Sequence, residues 1–206
     1  MDRSGRLENP VLLFLVAAAL VVSGIEPHDR ATWVLEVLPV VIGVPLLVVL
    51  HPRFPFTPLV YRLVFLHALI LMLGGHYTYA RVPLGLWVQD LLDLSRNHYD
   101  RLGHLAQGFV PAVLAREVLL RRLPLRPGKW LFFLVSSVCL ALSACYEFLE
   151  WWAALIGGEG AEAFLGTQGD VWDTQWDMFL ALVGAVSAQI LLSRAHDRQL
   201  RELDGR

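Results

Sequence analysis

The chain has 206 residues and a mass of 23.1 kDa; 56% of its residues are hydrophobic, 17% are charged, mean hydropathy is +0.53 and formal net charge is −2. Soluble domains average about 45–50% apolar and ~25% charged, so this balance excludes a disordered or collagen-like chain, and the absence of a basic surplus excludes a nucleic-acid partner. What remains is an integral membrane protein of one domain, with membrane lipid as its surroundings.

Taken in chain order, six apolar runs are long enough to be read as spanning helices: 10–25, 31–50, 58–79, 99–120, 130–155 and 173–194. The first, preceded by Arg3 and Arg6 and followed by Val22-Ser23-Gly24, is similar to a signal peptide and is read as retained. The second is interrupted chemically only by Glu36 and carries Pro39, Gly43 and Pro45. The third contains Arg62, His67 and His76; His67, alone in mid-span, is read as a helix–helix hydrogen bond. Between the third and fourth, 81–98 pairs apolar Leu84, Trp87, Val88, Leu91 and Leu92 with polar Gln89, Asp90 and Asp93, the pattern of a short amphipathic helix lying in the outer headgroup layer. The fourth run is the least apolar, with Asp100, Arg101, His104, Arg116 and Glu117 near its ends. The fifth is free of charge from Trp130 to Tyr146. A Gly-rich acidic segment, 156–172, reads as an ordered turn or lid before the sixth.

These runs are too long for strands, so the expected fold is an all-α, polytopic transmembrane bundle of six helices. With both termini in the cytoplasm, 13 of the 17 Lys and Arg residues fall on the inner side, a strong positive-inside bias. Tryptophan agrees: Trp130 marks the inner interface and the other six cluster near the outer one. Gly108 and Ala112 on the fourth run, and Ala181, Gly184, Ala185 and Ala188 on the sixth, suggest close helix contact. His28, His51 and His196 fall in loops or the tail and are read as solvated. Cys139 and Cys145, six positions apart on one helix, point in different directions and do not bridge.

The polar residues are asymmetric. Inner ends carry ordinary basic anchors, whereas outer ends carry acids and imidazoles that hydrocarbon disfavours. Asp100, His104 and Gln107 share one face of the fourth helix; Glu147 and Glu150 share one on the fifth; Asp173 and Asp177 share one on the sixth; His76 ends the third. Asp100 and Asp173 each suit a helix N-terminus, where the dipole favours anions. Glu147 and Glu150 sit at a helix C-terminus, which disfavours anions, and therefore need a partner. Three chemistries fit such a layer: a divalent metal such as zinc, held by His104, Asp100, His98 and Asp173; proton-active carboxylate pairs, with Glu147, Glu150, Asp177 and His104 in catalytic roles; and a purely structural network.

The stretches His76-Tyr77-Thr78-Tyr79, Arg96-Asn97-His98-Tyr99-Asp100-Arg101, Tyr146-Glu147 with Glu150-Trp151-Trp152, and Gly166-Thr167-Gln168-Gly169-Asp170 followed by Trp172-Asp173-Thr174-Gln175-Trp176-Asp177 resemble the YjdF family of bacterial inner-membrane proteins over nearly the whole chain. The resemblance implies location and topology but no reaction. Asp100, His104, Glu147, Asp177 and Gly184 also give a weaker similarity to the VanZ-like membrane proteins, which are linked to the cell envelope. The expected function is an inner-membrane protein whose outward-facing pocket binds or processes an envelope lipid or its headgroup, with Arg96, Arg101, His76 and Gln107 contacting the substrate and a metal assisting. The alternative is a scaffolding membrane protein whose polar cluster only fixes helix packing. A transporter is disfavoured because ionisable residues are sparse in the inner half.

Overall fold

A computed structural model describes residues 3–157, 165, 167–203 and 205. Glu159 and Glu162 of the acidic segment, with Gly158, Gly160 and Gly166, lie outside the described residues. Among the described residues all regular structure is helical: α1 (Arg3–Ser23), α2 (Arg30–Leu50), α3 (Pro58–Tyr77), a 3-10 turn (Tyr79–Arg81), α4 (Pro83–Leu91), α5 (Tyr99–Arg122), α6 (Lys129–Gly157) and α7 (Asp173–Leu203).

Local sequence explains the helix starts. Asp29 caps α2 by accepting the Thr32 N–H at 2.7 Å, and that hydrogen bond holds its carboxyl below the usual range. Asp29 therefore supports the fold above the ordinary carboxylate pKa and loses that contribution as pH falls through its lowered value. Pro58 and Pro83 begin α3 and α4, where a missing N–H costs nothing. Thr78, at φ 62°, turns the chain sharply out of α3. α4 has nine residues, too few to span, and leaves Leu84, Trp87 and Leu91 exposed.

Four helices, α2, α3, α6 and α7, are long and apolar enough to cross a membrane. The apolar part of α1, Leu7–Ser23, is shorter. α5 fails the same criterion for a structural reason: it packs against α3, α6 and α7, so its surface is met by protein instead of lipid. Large apolar side chains on the outer helices face outward, including Phe14, Val49, Phe133, Ile190 and Leu191. That inverts the pattern of a water-soluble protein.

α5 and α7 form the most extensive helix pair. Their contact runs through glycine. A Cβ on Gly108 would stand 1.7 Å from the Ala181 carbonyl oxygen, and one on Gly184 would stand 2.1 Å from the Leu105 carbonyl oxygen. The expected close contact is present, backbone against backbone. Next to it, Ala112, Ala185, Ala188, Val113, Val135 and Cys139 fill a dry core. Both cysteines are free.

At the C-terminal end of α5 the structure corrects the reading of ordinary basic anchors. His196 is fully buried, not solvated, because α7 continues past 194 to Leu203 and carries it inward. Its Nε2–H donates to Glu117 Oε2 at 3.0 Å, while Arg116 donates to its Nδ1 at 3.0 Å. Glu117 also accepts from Thr57 N and Oγ1 and, at 2.7 Å, from Arg121. Arg116 donates to Asp197 at 2.7 Å, and the N–H of Leu59 donates to Gln199 at 2.9 Å. This network ties the start of α3 to α5 and α7. The sparsity of ionisable groups that weighed against a transporter is therefore absent from this end of the bundle.

Two stability predictions follow from this geometry. Gly108→Ala has no flexible neighbour to displace, so it forces the α5–α7 backbones apart; the expected loss is about 1–3 kcal/mol, read as a lower melting temperature in detergent. Glu117→Gln leaves partly buried Arg121 without its buried counter-charge and weakens the acceptor of His196 and Thr57; it is expected to cost on the order of 3 kcal/mol in the same measurement.

Candidate functional site

The opposite end of the bundle gathers the N-terminal ends of α2, α5 and α7 with the C-terminal portions of α3 and α6. His104 lies at its centre, with its side chain 6% exposed. Nε2 is 3.5 Å from Asp100 Oδ1 and 3.8 Å from Asp177 Oδ2; Nδ1 is 3.8 Å from Glu147 Oε1 and 2.9 Å from Gln107 Oε1. Two groups have the spacing of metal ligands, Asp100–His104–Asp177 and His104–Glu147–Glu150. Each of these five residues is buried.

Helical register explains the convergence. His104 lies one turn before Gly108 and Asp177 one turn before Ala181, so the closest backbone contact sets these side chains against each other. On α6, Ser143, Glu147 and Glu150 share the buried face. Tyr79 is clamped from two sides: a Cβ on Gly74 would lie 2.6 Å from its ring and one on Gly103 2.8 Å.

A cavity of about 210 Å³ opens beside His104. Its polar wall includes Glu36, Asp100, Glu150 and Tyr146; its apolar wall includes Pro39, Leu71 and Leu142. Tyr146 donates to Glu36 Oε2 at 3.1 Å and so bridges α6 to α2. A larger groove of about 340 Å³ lies between α1, α2 and α3. Its walls are mostly aliphatic, with Val16, Val44, Leu47 and Val64 among them, and it lacks converging carboxylates. Of the two, the smaller cavity is the one beside the converging carboxylates and imidazole.

Arg96, Arg101, Asp173, His98 and His76 lie outside the cavity lining. Arg96 donates to Asp173 at 2.7 Å, and Arg101 donates to Asp170 at 2.8 Å with its guanidinium over the Trp176 ring. Asp173 therefore faces an arginine, outside both metal-spaced groups. His98 precedes α5 beside these arginines; burial, then the charges of Arg101 and Arg96, push its imidazole pKa down. A cation is poorly placed there. His76 Nδ1 donates to the Ser23 carbonyl at 2.9 Å and joins α3 to α1, away from the cavity. Asn97 anchors the same strap: it donates to the carbonyls of Ala80 and Val82, and exchanges two hydrogen bonds with Gln168.

Four polar cavity residues were not among the predicted site residues: Glu36, His67, Tyr79 and Tyr146. Glu36 was legible as a lone acid in an apolar run, and Tyr146 by its i,i+4 relation to Glu150. His67 Nε2 is buried and makes no hydrogen bond among the described residues, so that nitrogen does not supply the helix–helix bond expected of the side chain. Tyr79 gave no signal, because its position depends on the turn after α3. Asp100 is not a simple helix cap either; its Oδ2 is buried without a hydrogen-bond partner, as are Glu147 Oε1 and Asp177 Oδ1.

The chain is 59% identical over 182 residues to the inner membrane protein YjdF of Escherichia coli (strain K12), covering 88% of this chain and 87% of that protein. No solved structure matches it significantly. Residues 9–198 match the family described as "Predicted membrane protein (DUF2238)", and the chain belongs to that family.

Proposed function

We propose that this is a multi-pass inner-membrane protein of a single domain with six crossing helices, both termini cytoplasmic, whose cavity beside His104 binds the headgroup of an envelope lipid. The helix count adds α1 and α5 to the four apolar helices. α5 packs along three of them, which carries it through the same layer. The orientation is supported by the 13 of 17 Lys and Arg residues on one side.

The observation that carries the lipid reading is the amphiphilic cavity. The carboxylates of Glu36, Asp100 and Glu150 form one wall, and Pro39, Leu71 and Leu142 form the other; Asp100 Oδ2, with Glu147 Oε1 and Asp177 Oδ1 around the same imidazole, is buried without a hydrogen bond among the described residues. Buried polar atoms are normally satisfied, and a group left unpaired costs about 1–3 kcal/mol. Stability alone does not explain three such oxygens at one point. An amphiphile entering from the bilayer would set its tail against the apolar wall. Arg96 and Arg101 supply guanidinium donors for a phosphate near Asp173, in competition with their present carboxylate partners. Glu147, Glu150, Asp177 and His104 are the acid–base groups for any processing of that headgroup.

The scaffolding alternative is supported by the Tyr146–Glu36 bridge, which holds α6 to α2. Two measurements separate the readings. In bilayer discs of phosphatidylethanolamine and phosphatidylglycerol, the wild type is expected to retain phospholipid through detergent extraction, read by native mass spectrometry. Asp177→Asn and Glu150→Gln are expected to lose that lipid while melting at the same or a higher temperature, as groups strained for function do. Unchanged lipid retention with a lower melting temperature would establish the scaffold instead. A fluorescent protein fused after Arg206 is expected to fold and fluoresce, as a cytoplasmic terminus requires.

A further inference from the structure

The imidazole of His104 is aimed. Its Nδ1–H donates to Gln107 Oε1 at 2.9 Å, which leaves Nε2 as the ring nitrogen facing Asp100 and Asp177. The gaps of 3.5 Å and 3.8 Å from Nε2 exceed the about 2.7–3.2 Å of a good N–H···O hydrogen bond. They suit the edge of a coordination polyhedron: two ligand atoms each about 2.1 Å from a tetrahedral ion lie about 3.4 Å apart.

Two carboxylates brought together in a low-dielectric interior repel unless a cation stands between them. Asp177 Oδ1 and Asp100 Oδ2 are buried and make no hydrogen bond among the described residues, and the Asp177 side chain is 3% exposed. Among the described residues no Lys or Arg lines the cavity. The three side chains offer ligand atoms within 4.8 Å of one another. Gln107 plays the part expected of an outer-shell partner, since a metal-ligating histidine usually donates its other N–H to a carbonyl or carboxylate.

We propose that Asp100, His104 through Nε2, and Asp177 form a binding site for a divalent cation of the zinc or manganese class, with Gln107 fixing the imidazole. One nitrogen and two carboxylates suit either ion. Glu147 and Glu150 flank the other side of the ring and do not ligate, because Gln107 engages Nδ1. Three protein ligands leave a position for water or a phosphoryl oxygen, which the ion would polarise. This site deepens the headgroup reading by naming what neutralises the carboxylates toward a phosphate, and it rests on that cavity but not on a lipid occupying it.

Calorimetric titration of the purified protein in detergent, without added lipid, with Zn²⁺ alone and with Mn²⁺ alone, tests it. The wild type and the exposed-loop variant Asp93→Asn are expected to show one saturable site per chain. Asp177→Asn and Asp100→Asn are expected to lose at least about 100-fold in affinity, and Gln107→Ala about 10–100-fold. Absence of saturable binding by the wild type for both ions overturns the proposal, as does affinity in the Asp variants within threefold of wild type. If the Asp variants do not elute as folded protein, pulsed electron paramagnetic resonance of the Mn²⁺-loaded wild type decides: one directly coordinated imidazole nitrogen supports the site, and none overturns it. Ion binding without lipid retention sinks the headgroup reading alone; lipid retention without ion binding sinks this one alone.

Discussion

The structure depends on the contact of two glycines with two backbones. Gly108 and Gly184 let α5 and α7 approach until carbonyl oxygens occupy the space a Cβ would need. In hydrocarbon there is little solvent-driven force between helices, so association relies on such close packing. Once that pair is fixed, helical register does the rest. One turn toward the N-terminus of α5, His104 meets Asp177; two turns the other way, Arg116 and Glu117 meet His196.

The two polar ends that this contact creates have opposite character. At the Glu117 end, the carboxylate receives donors from Thr57, Arg121 and His196, and Arg116 is met by His196 and Asp197. Charges and acceptors are matched, which is how a buried ionic network holds helices in register. At the Asp100 end, carboxylates crowd a single imidazole, and Asp100 Oδ2, Glu147 Oε1 and Asp177 Oδ1 are buried without a donor among the described residues. A protein gains nothing in stability from that arrangement. The two ends therefore differ in how far their buried charges and acceptors are matched.

Much of this was legible in the sequence. Run lengths separate helices from strands, because only a helix satisfies its own backbone groups in lipid. Proline and aspartate mark helix starts at Pro58, Pro83 and Asp29. Spacings of three and four place Asp100 with His104, Glu147 with Glu150, and Asp173 with Asp177 on common faces. These are properties of one helix at a time. His196 shows the limit. Its neighbours in sequence are those of a soluble tail, and only the continuation of α7 against α5 buries it.

The sequence by itself therefore determined an all-helical membrane protein, the faces on which its acids and imidazoles lie, and the small residues through which helices meet. Those features follow from local backbone geometry and from the cost of placing polar groups in hydrocarbon. Tertiary structure alone decided which faces meet. It assigned Asp173 to Arg96 and Asp177 to His104, placed His76 on Ser23 and not in the cavity, and brought Glu36 and Tyr146 together from different helices. The physical reason is that a side chain's partner across a bundle depends on helix rotation and approach distance, which for α5 and α7 the glycine contact sets one turn from His104.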